Sequence, residues 1–524
     1  MNKTNLLVAL FLTATTIMIF NYFNNKNQQK MQPAGVPAQV LPGQSYKVPT
    51  AQDLARPINT EIDFIDKKMT QKEDIKEVET GLYNVSFSNY GGIISNISFK
   101  KFLGKNKTPL RTIQPVSFYQ REEGAFLIAL DEKTPYFYKF AEVKDLGDQK
   151  TVLYQAQTEN WIINKTYFLN DNNYKIDILL DFVPKLEQDK NLNSVRSRIF
   201  FPAPFIGEVT DDKISAFSSS IGGQNIDIIN ANNLDSAWVA PAIFGAQDKY
   251  FAHCLVADTN NYVQRAMFKK VGNKLYPVLE GPEIKEKSEY KISFYIGPKL
   301  VDDLGSVDQR LEELLSFGWL SWLCKLLLAF LNLIVSYVKN YGLAIIILTF
   351  LIKIPFTPLT MWGRKKMEAY QKHQPAIGRI RTKFKDDLRR QQEEIVRYHK
   401  EHNLSPTSTI SGCLPLVIQM PILFALYRVL NGYLSLYQAP LFGWITDLSS
   451  KDPYYVLPIL MGGSMILQQL MAPVTDSKQK VMMLFMPVVF TAIFINFPAG
   501  LVLYWLTNNL LTVGEDYLRK KIVG

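Results

Sequence analysis

Gly-Leu-Ala-Ile-Ile-Ile-Leu-Thr-Phe-Leu-Ile-Lys-Ile-Pro-Phe-Thr-Pro-Leu-Thr, residues 342–360, reads as an apolar helix long enough to cross a bilayer, with Lys353 about two-thirds of the way along it. A charge at the middle of a membrane helix costs roughly 2.5–3.5 kcal/mol even on the lenient insertion scale, so Lys353 is a candidate functional residue. Snorkelling to the cytoplasmic interface is the competing explanation. It is disfavoured because about seven residues, roughly 10 Å of helix, separate Lys353 from Thr360.

Working outward, five further stretches have the apolarity of spans: 6–23, 413–433, 455–471, 481–497 and 499–516. With the Lys353 helix at 341–361 they make six. The first follows Lys3 and is succeeded by the polar run 21–30, with no small-residue cleavage site close behind it. Residues 1–23 therefore read as an uncleaved anchor, with a cleaved signal peptide as the alternative.

The formal net charge of +10 is unevenly placed. Between Trp362 and Leu404 about twelve Lys and Arg face six acidic residues, and Arg519, Lys520 and Lys521 lie near the C-terminus. A cytoplasmic position for both basic regions follows from the positive-inside rule, and with six spans it puts the N-terminus inside as well. The excess is accounted for without a specific nucleic-acid sequence as partner. Cys254, Cys324 and Cys413 are scattered, and with four histidines there is neither a disulfide framework nor metal-ligand spacing. The chain offers no nucleophile or zinc motif, so no catalytic residue, metal or cofactor is expected.

Residues 24–58 read as a flexible linker. From 59 to 301 short alternating runs, 82–88, 93–99, 161–169, 174–182 and 290–296, predict an all-β sandwich with turns at Gly91-Gly92 and Asn170–Asn173. It lies between the first two spans and therefore outside the cytoplasmic membrane. Tyr136, Phe137, Tyr138 and Trp161 are expected in its core, with a sugar-binding face as the alternative. Residues 311–338, carrying Trp319 and Trp322, read as an amphipathic helix in the outer interface rather than a seventh span. Residues 362–404 predict a charged helical hairpin with Pro375 near the start of one helix or at a kink in it. Its Arg379, Arg381, Lys383 and Lys385 serve either lipid headgroups or docking of a ribosome, targeting receptor or nascent chain. The rest divides into spans at 412–433, 455–471, 481–497 and 499–516, loops at 434–453 and 472–480, and a short tail at 517–524.

Thr349 lies four residues before Lys353 and projects from the same face. Gln419 stands between Pro415 and Pro421 in the third span, and the last span carries Tyr504, Trp505, Thr507, Asn508 and Asn509. Together these predict a partly polar intramembrane cavity, with interhelical hydrogen bonding as the plainer role for Thr349 and Gln419. No acidic partner for Lys353 appears in any span. Glu515 and Asp516 fall at the cytoplasmic end of the last.

The runs 340–360, Gly-Cys-Leu-Pro-Leu-Val-Ile-Gln-Met-Pro (412–421), Asp-Pro-Tyr-Tyr-Val-Leu-Pro-Ile-Leu-Met-Gly (452–462) and Phe-Pro-Ala-Gly-Leu-Val-Leu-Tyr (497–504) closely resemble the YidC-type membrane protein insertase family. The resemblance is dense from about 317 to 513 and architectural for the anchor and β-domain, as in the Gram-negative form. It implies a five-helix core around a hydrophilic groove open to the cytoplasm and lipid. A basic residue there attracts the polar segment of a nascent membrane protein while its apolar segment enters the phospholipid bilayer without ATP, alone or beside the Sec translocon. The groove residues would be Lys353, Thr349, Gln419, Tyr504, Trp505 and Asn508. The chain departs from the usual pattern in having Lys353 where many relatives have arginine, Trp505 after Tyr504 where two tyrosines are common, and Arg428 at an apolar position. A small-solute or ion transporter is the alternative function, weakened by the lack of an internal repeat.

Overall fold

A computed structural model describes residues 56–60, 72–104, 107–114, 124–185, 194–206, 214–219, 225–229, 234, 236–271, 274–315, 317–402, 404, 414–471 and 477–523. The anticipated anchor, most of the linker and the loop at 472–476 lie outside the described residues. The chain divides into two compact units, 31–316 and the helical unit that includes 317–524.

The first unit is built from antiparallel strands. β1 (Ile75–Glu79), β2 (Tyr83–Ser88), β3 (Ile93–Leu103) and β4 (Pro109–Ile113) form one sheet in that order. A five-stranded sheet contains β5 (Leu127–Leu130), β10 (Val195–Phe200), β13 (Trp238–Val239), β16 (Arg265–Val271) and β17 (Lys274–Ile284). The third sheet has nine strands: β6 (Lys139–Asp145), β7 (Gln149–Gln157), β8 (Trp161–Asn170), β9 (Lys175–Pro184), β11 (Ser215–Ser219), β12 (Asp227–Ile229), β14 (Ile243–Gln247), β15 (Phe251–Asp258) and β18 (Ser288–Pro298). β8 alternates buried and half-buried along its whole length, the period-2 signature that made it readable. Its register with β9 is held from Trp161 to Leu169. Gly91 and Gly92 both take positive φ, +66° and +53°, which their missing side chains permit. At the β8–β9 turn Asn170 Oδ1 accepts from the amides of Asn172 and Asn173 at 2.8 and 3.1 Å. Tyr136, Tyr138 and Trp161 are buried, as the core role expected for them requires, while Phe137 is half-buried.

Several charged side chains of this domain are buried and hydrogen-bonded. Glu280 accepts from Arg265 Nε at 2.7 Å and from Arg56 Nη2 at 2.7 Å, and the Arg265 and Glu280 side chains are each only 2% exposed. Lys165 donates to the carbonyls of Phe126 and Gly91. His253 bridges Pro202 O at 2.8 Å and Thr112 Oγ1 at 2.9 Å. Burial lowers its pKa to about 4. A short helix, α1 (Val301–Val307), and a 3₁₀ turn, Gln309–Leu315, close the unit.

The second unit contains α2 (Ser321–Val338), α3 (Tyr341–Lys372), α4 (Gln374–Lys383), α5 (Leu388–Glu401), α6 (Leu414–Gly432), α7 (Val456–Met471), α8 (Ser477–Phe494) and α9 (Ala499–Val523). Several boundaries differ from the sequence reading. The stretch 311–338 is not one helix: 3₁₀ turns at Gln309–Leu315 and Gly318–Leu320 precede α2, and Gly318 sits at φ +60°. A Cβ on Gly318 would lie 3.2 Å from Arg428 Nη1, so the glycine leaves room for that guanidinium. α3 runs past 361 to Lys372, absorbing the start of the hairpin, and α9 continues through 517–523 instead of ending in a tail. Pro375 occupies the first turn of α4, as anticipated, where its missing N–H costs nothing.

Among the described residues, 318–338 and 341–358 are long and apolar enough to cross a membrane, while 456–471 and 485–494 are shorter apolar helices. Leu326, Phe330, Leu351, Ile354, Ile459, Phe485 and Val488 are exposed. Large apolar side chains turned outward from several helices suit a lipid surround rather than water. α9 packs against α3, α6 and α7, and α2 packs against α3 and α6. Close approach of α7 to α8 depends on Gly462, where a Cβ would stand 2.1 Å from Thr491 Oγ1.

Candidate functional site: a polar stripe inside the helical unit

The end of the unit where α3 and α9 begin is held by the segment 434–453 and by Asp452. Asp452 is 1% exposed and accepts from Leu457 N at 2.7 Å, Tyr454 N at 3.0 Å and Trp444 Nε1 at 3.0 Å. It thereby satisfies donors at the start of α7, which explains why Asp-Pro-Tyr-Tyr precedes that helix. Asn340 caps α3 by accepting from Leu343 N at 2.9 Å, and its amide donates to Leu441 O at 3.1 Å. Ala499 N and Gly500 N donate to Ser450 O and Leu448 O at 2.7 and 3.0 Å. Proline and glycine in the motif at 497–500 thus start α9 against a neighbouring backbone.

Along α9, Tyr504, Asn508, Thr512 and Glu515 follow one another at i, i+4, i+8 and i+11, a single stripe on one face. Gln419 of α6 donates through Nε2 to Tyr504 Oη near the outer end of this stripe. Lys353 of α3 meets its inner end. The ammonium donates to Thr512 Oγ1 at 2.5 Å and to Asn508 O at 3.2 Å, and lies 3.7 Å from Glu515 Oε2. Thr357, one turn along α3, donates to Lys353 O at 3.0 Å and has its hydroxyl 3.3 Å from Glu515 Oε1. Lys353 and Glu515 side chains are 14% and 31% exposed.

This corrects the expectation that no acidic group reaches Lys353. Glu515 lies two turns beyond Asn508, and α9 stays helical that far, so its carboxylate comes level with the ammonium. Thr512 is absent from the sequence reading, and Glu515 enters it only as a residue at the cytoplasmic end of the last span. Their 4- and 7-residue spacing from Asn508 was the available signal. Two expected cavity residues also turn elsewhere. Thr349 is 1% exposed and its hydroxyl donates back to Ile345 O at 2.7 Å, inside its own helix. Trp505, about 100° round α9 from Tyr504, packs on Phe490 and Phe494 of α8 at ring distances of 6.0 and 5.3 Å. A second polar contact, Asn509 Nδ2 to Ser464 Oγ at 3.0 Å, ties α9 to α7 as plain interhelical bonding.

The segment 333–523 matches the model of the "60Kd inner membrane protein" family, and 76–330 matches that of the "YidC periplasmic domain". Membrane protein insertase YidC of Geobacter metallireducens is 32% identical over 526 residues, covering 95% of this chain and 94% of that protein. The Syntrophus aciditrophicus protein of the same name is 31% identical over 561 residues, 98% and 99% of the two chains. This chain belongs to the YidC membrane protein insertase family. It is accordingly an inner-membrane insertase with a periplasmic domain, acting on nascent membrane proteins, and the transporter alternative falls away. A crystal structure of an active YidC insertase with its first transmembrane domain resolved is similar over 86% of this chain and 93% of that one, at 17% identity and a TM-score of 0.39.

The remaining candidates lie on the hairpin of the insertase. Arg379, Lys383 and Lys385 are exposed, and Arg381 is half-buried. Gln391 holds the two arms together by donating to Arg381 O at 2.8 Å and Phe384 O at 3.2 Å. At the base, His373 Nδ1 lies 3.1 Å from Tyr398 Oη, and Tyr398 stacks on His402 at 4.0 Å. Burial, then the charges of Arg381 and His373, hold His399 below the usual histidine pKa.

Proposed function

We propose that the insertase receives its clients on the stripe formed by Lys353, Gln419, Tyr504 and Asn508. The observation that carries this reading is the state of Lys353: a cation inside an apolar helical unit, only partly buried, and held by a pair loose enough to exchange. A client segment with polar or acidic groups gains a charge-assisted contact with the ammonium in a weakly screened setting. Its apolar segment partitions into the surrounding lipid against the outward side chains of α7 and α8, and that burial drives release without a chemical step. Thr349 and Trp505 support the stripe from within the helix packing.

In the same reading six spans cross the membrane, both termini are cytoplasmic, and α2 lies in the outer interface with Trp322 and Tyr337 exposed and Trp319 exposed on the turn before it. The hairpin, through Arg379, Arg381, Lys383 and Lys385, meets the ribosome, a targeting receptor or anionic headgroups, and the Sec translocon works alongside for larger clients. A photocrosslinker at Gln419 during translation tests the proposal: crosslinks to a short single-span client support it. Efficient insertion with no crosslink at Gln419 would sink it.

A further inference from the structure

A client carboxylate seeking Lys353 meets one already there. We infer that Glu515 is a specificity-determining residue for insertion, an internal counter-ion that an acidic client displaces on loading and that reclaims the ammonium on release. The inference rests on Lys353 being a client contact, as proposed above.

Three features of the geometry point to exchange rather than to a fixed strut. The Lys353–Glu515 separation is 3.7 Å, well beyond the roughly 2.7–2.9 Å of a direct charge-assisted hydrogen bond. Lys353 also keeps two other oxygens, Thr512 Oγ1 and Asn508 O, which hold the ammonium in place whichever carboxylate faces it. Glu515 is the more exposed partner, 31% against 14%, so of the two it is the one that moves into solvent at the lower cost.

Exchange of one carboxylate for another is also neutral in charge. At no stage does it leave Lys353 uncompensated at depth, the costly state when one member of a buried pair is removed. Glu515 competes at the high effective concentration of a group on the same chain, and a free acidic peptide in solution cannot match that. A client anchored by its own apolar segment can. The pair therefore favours acidic residues that arrive attached to a membrane segment, and its re-formation contributes to letting the client go. A client with an uncharged tail leaves the pair closed and enters by apolar partitioning alone.

The test uses the purified full chain in liposomes with a single-span client whose translocated tail carries one Asp, compared with the same client carrying Asn. Glu515→Gln should raise the ratio of bound Asp-tailed to Asn-tailed client by about twofold to fivefold, the upper part of the range for an exposed pair, and slow release of the Asp-tailed client to a similar extent. Glu515→Asp should stay near the parent ratio. If Glu515→Gln is poorly folded, the swap Lys353→Glu with Glu515→Lys keeps a pair and should shift preference toward a Lys-tailed client. An unchanged ratio in Glu515→Gln, or equal losses for both clients, would overturn the role of Glu515. The proposed role of Lys353 stands in that case if Lys353→Leu still depresses the Asp-tailed client, and falls with it if Lys353→Leu does not.

Discussion

The β-domain and the helical unit both bury charge, and they do so in opposite ways. Glu280 and Arg265 meet at 2.7 Å with each side chain only 2% exposed, a closed pair that Arg56, itself largely exposed, reaches from the rim at 2.7 Å. Lys353 and Glu515 stand 3.7 Å apart with measurable exposure on both sides. A closed cluster specifies structure, because no outside group can enter it. An open one is available to a ligand.

The sharpest way to break this contrast is to remove the carboxylate from the closed cluster. Glu280→Ala strands Arg265 among buried groups and should cost about 3–5 kcal/mol of stability, read as a lowered unfolding transition of the purified chain in detergent. A change below about 1 kcal/mol would mean the cluster is not closed in the sense argued here.

His253 probes the same enclosure by pH. The unfolded chain takes up its proton near 6.5 and the folded chain only near 4, so stability is complete above the first value and is lost as pH falls toward the second. The loss should approach about 3 kcal/mol by pH 4. His253→Gln should flatten that part of the stability profile while lowering stability at neutral pH.

At the open site the expected effect lies in function. Lys353→Arg should retain insertion, since the charge persists. Lys353→Leu should reduce insertion of clients with acidic translocated tails about tenfold, equivalent to about 1.4 kcal/mol, and spare those with short uncharged tails. Protease protection of the translocated tail reads both. Equal insertion of acidic clients by Lys353→Leu would return Lys353 to a snorkelling role.

The smallest structural effect belongs to the hairpin. Replacing Arg379, Arg381, Lys383 and Lys385 by glutamate should shift the unfolding transition by about 0.5 kcal/mol or less at each of the three exposed sites, where charges carry little stability, and by more at half-buried Arg381. Ribosome cosedimentation and insertion yield should both fall. If neither moves, the hairpin is a solvated loop.

The strands that could be read from sequence were those with one buried face: β8 alternates cleanly along its length, β9 over its second half, and Asn170 announces their turn. The partition into three sheets could not be read that way, since β10 pairs with β17 and β5, far away in sequence, and runs such as β12 are too short to show a period. Among the helices, hydropathy located the apolar cores but not their ends. α3 and α9 continue into charged sequence because helix propagation does not stop where apolarity does. The position of Lys353 was legible because charge in an apolar run is rare. Its partner was not, since Glu515 becomes a neighbour only when α9 is carried past the apolar stretch.

α3 holds one more consequence. Pro355 and Pro358 lie inside it without ending it, and they deprive the carbonyls of Leu351 and Ile354 of their helical N–H partners. Bending is cheapest there, within a turn or so of Lys353. Mechanically, α3 is a mast with a compliant joint: stiff below Leu351, yielding between Leu351 and Pro358, and continuous again to the foot of the hairpin. Load applied at the hairpin acts as torque about a fulcrum that lies beside the Lys353 ammonium.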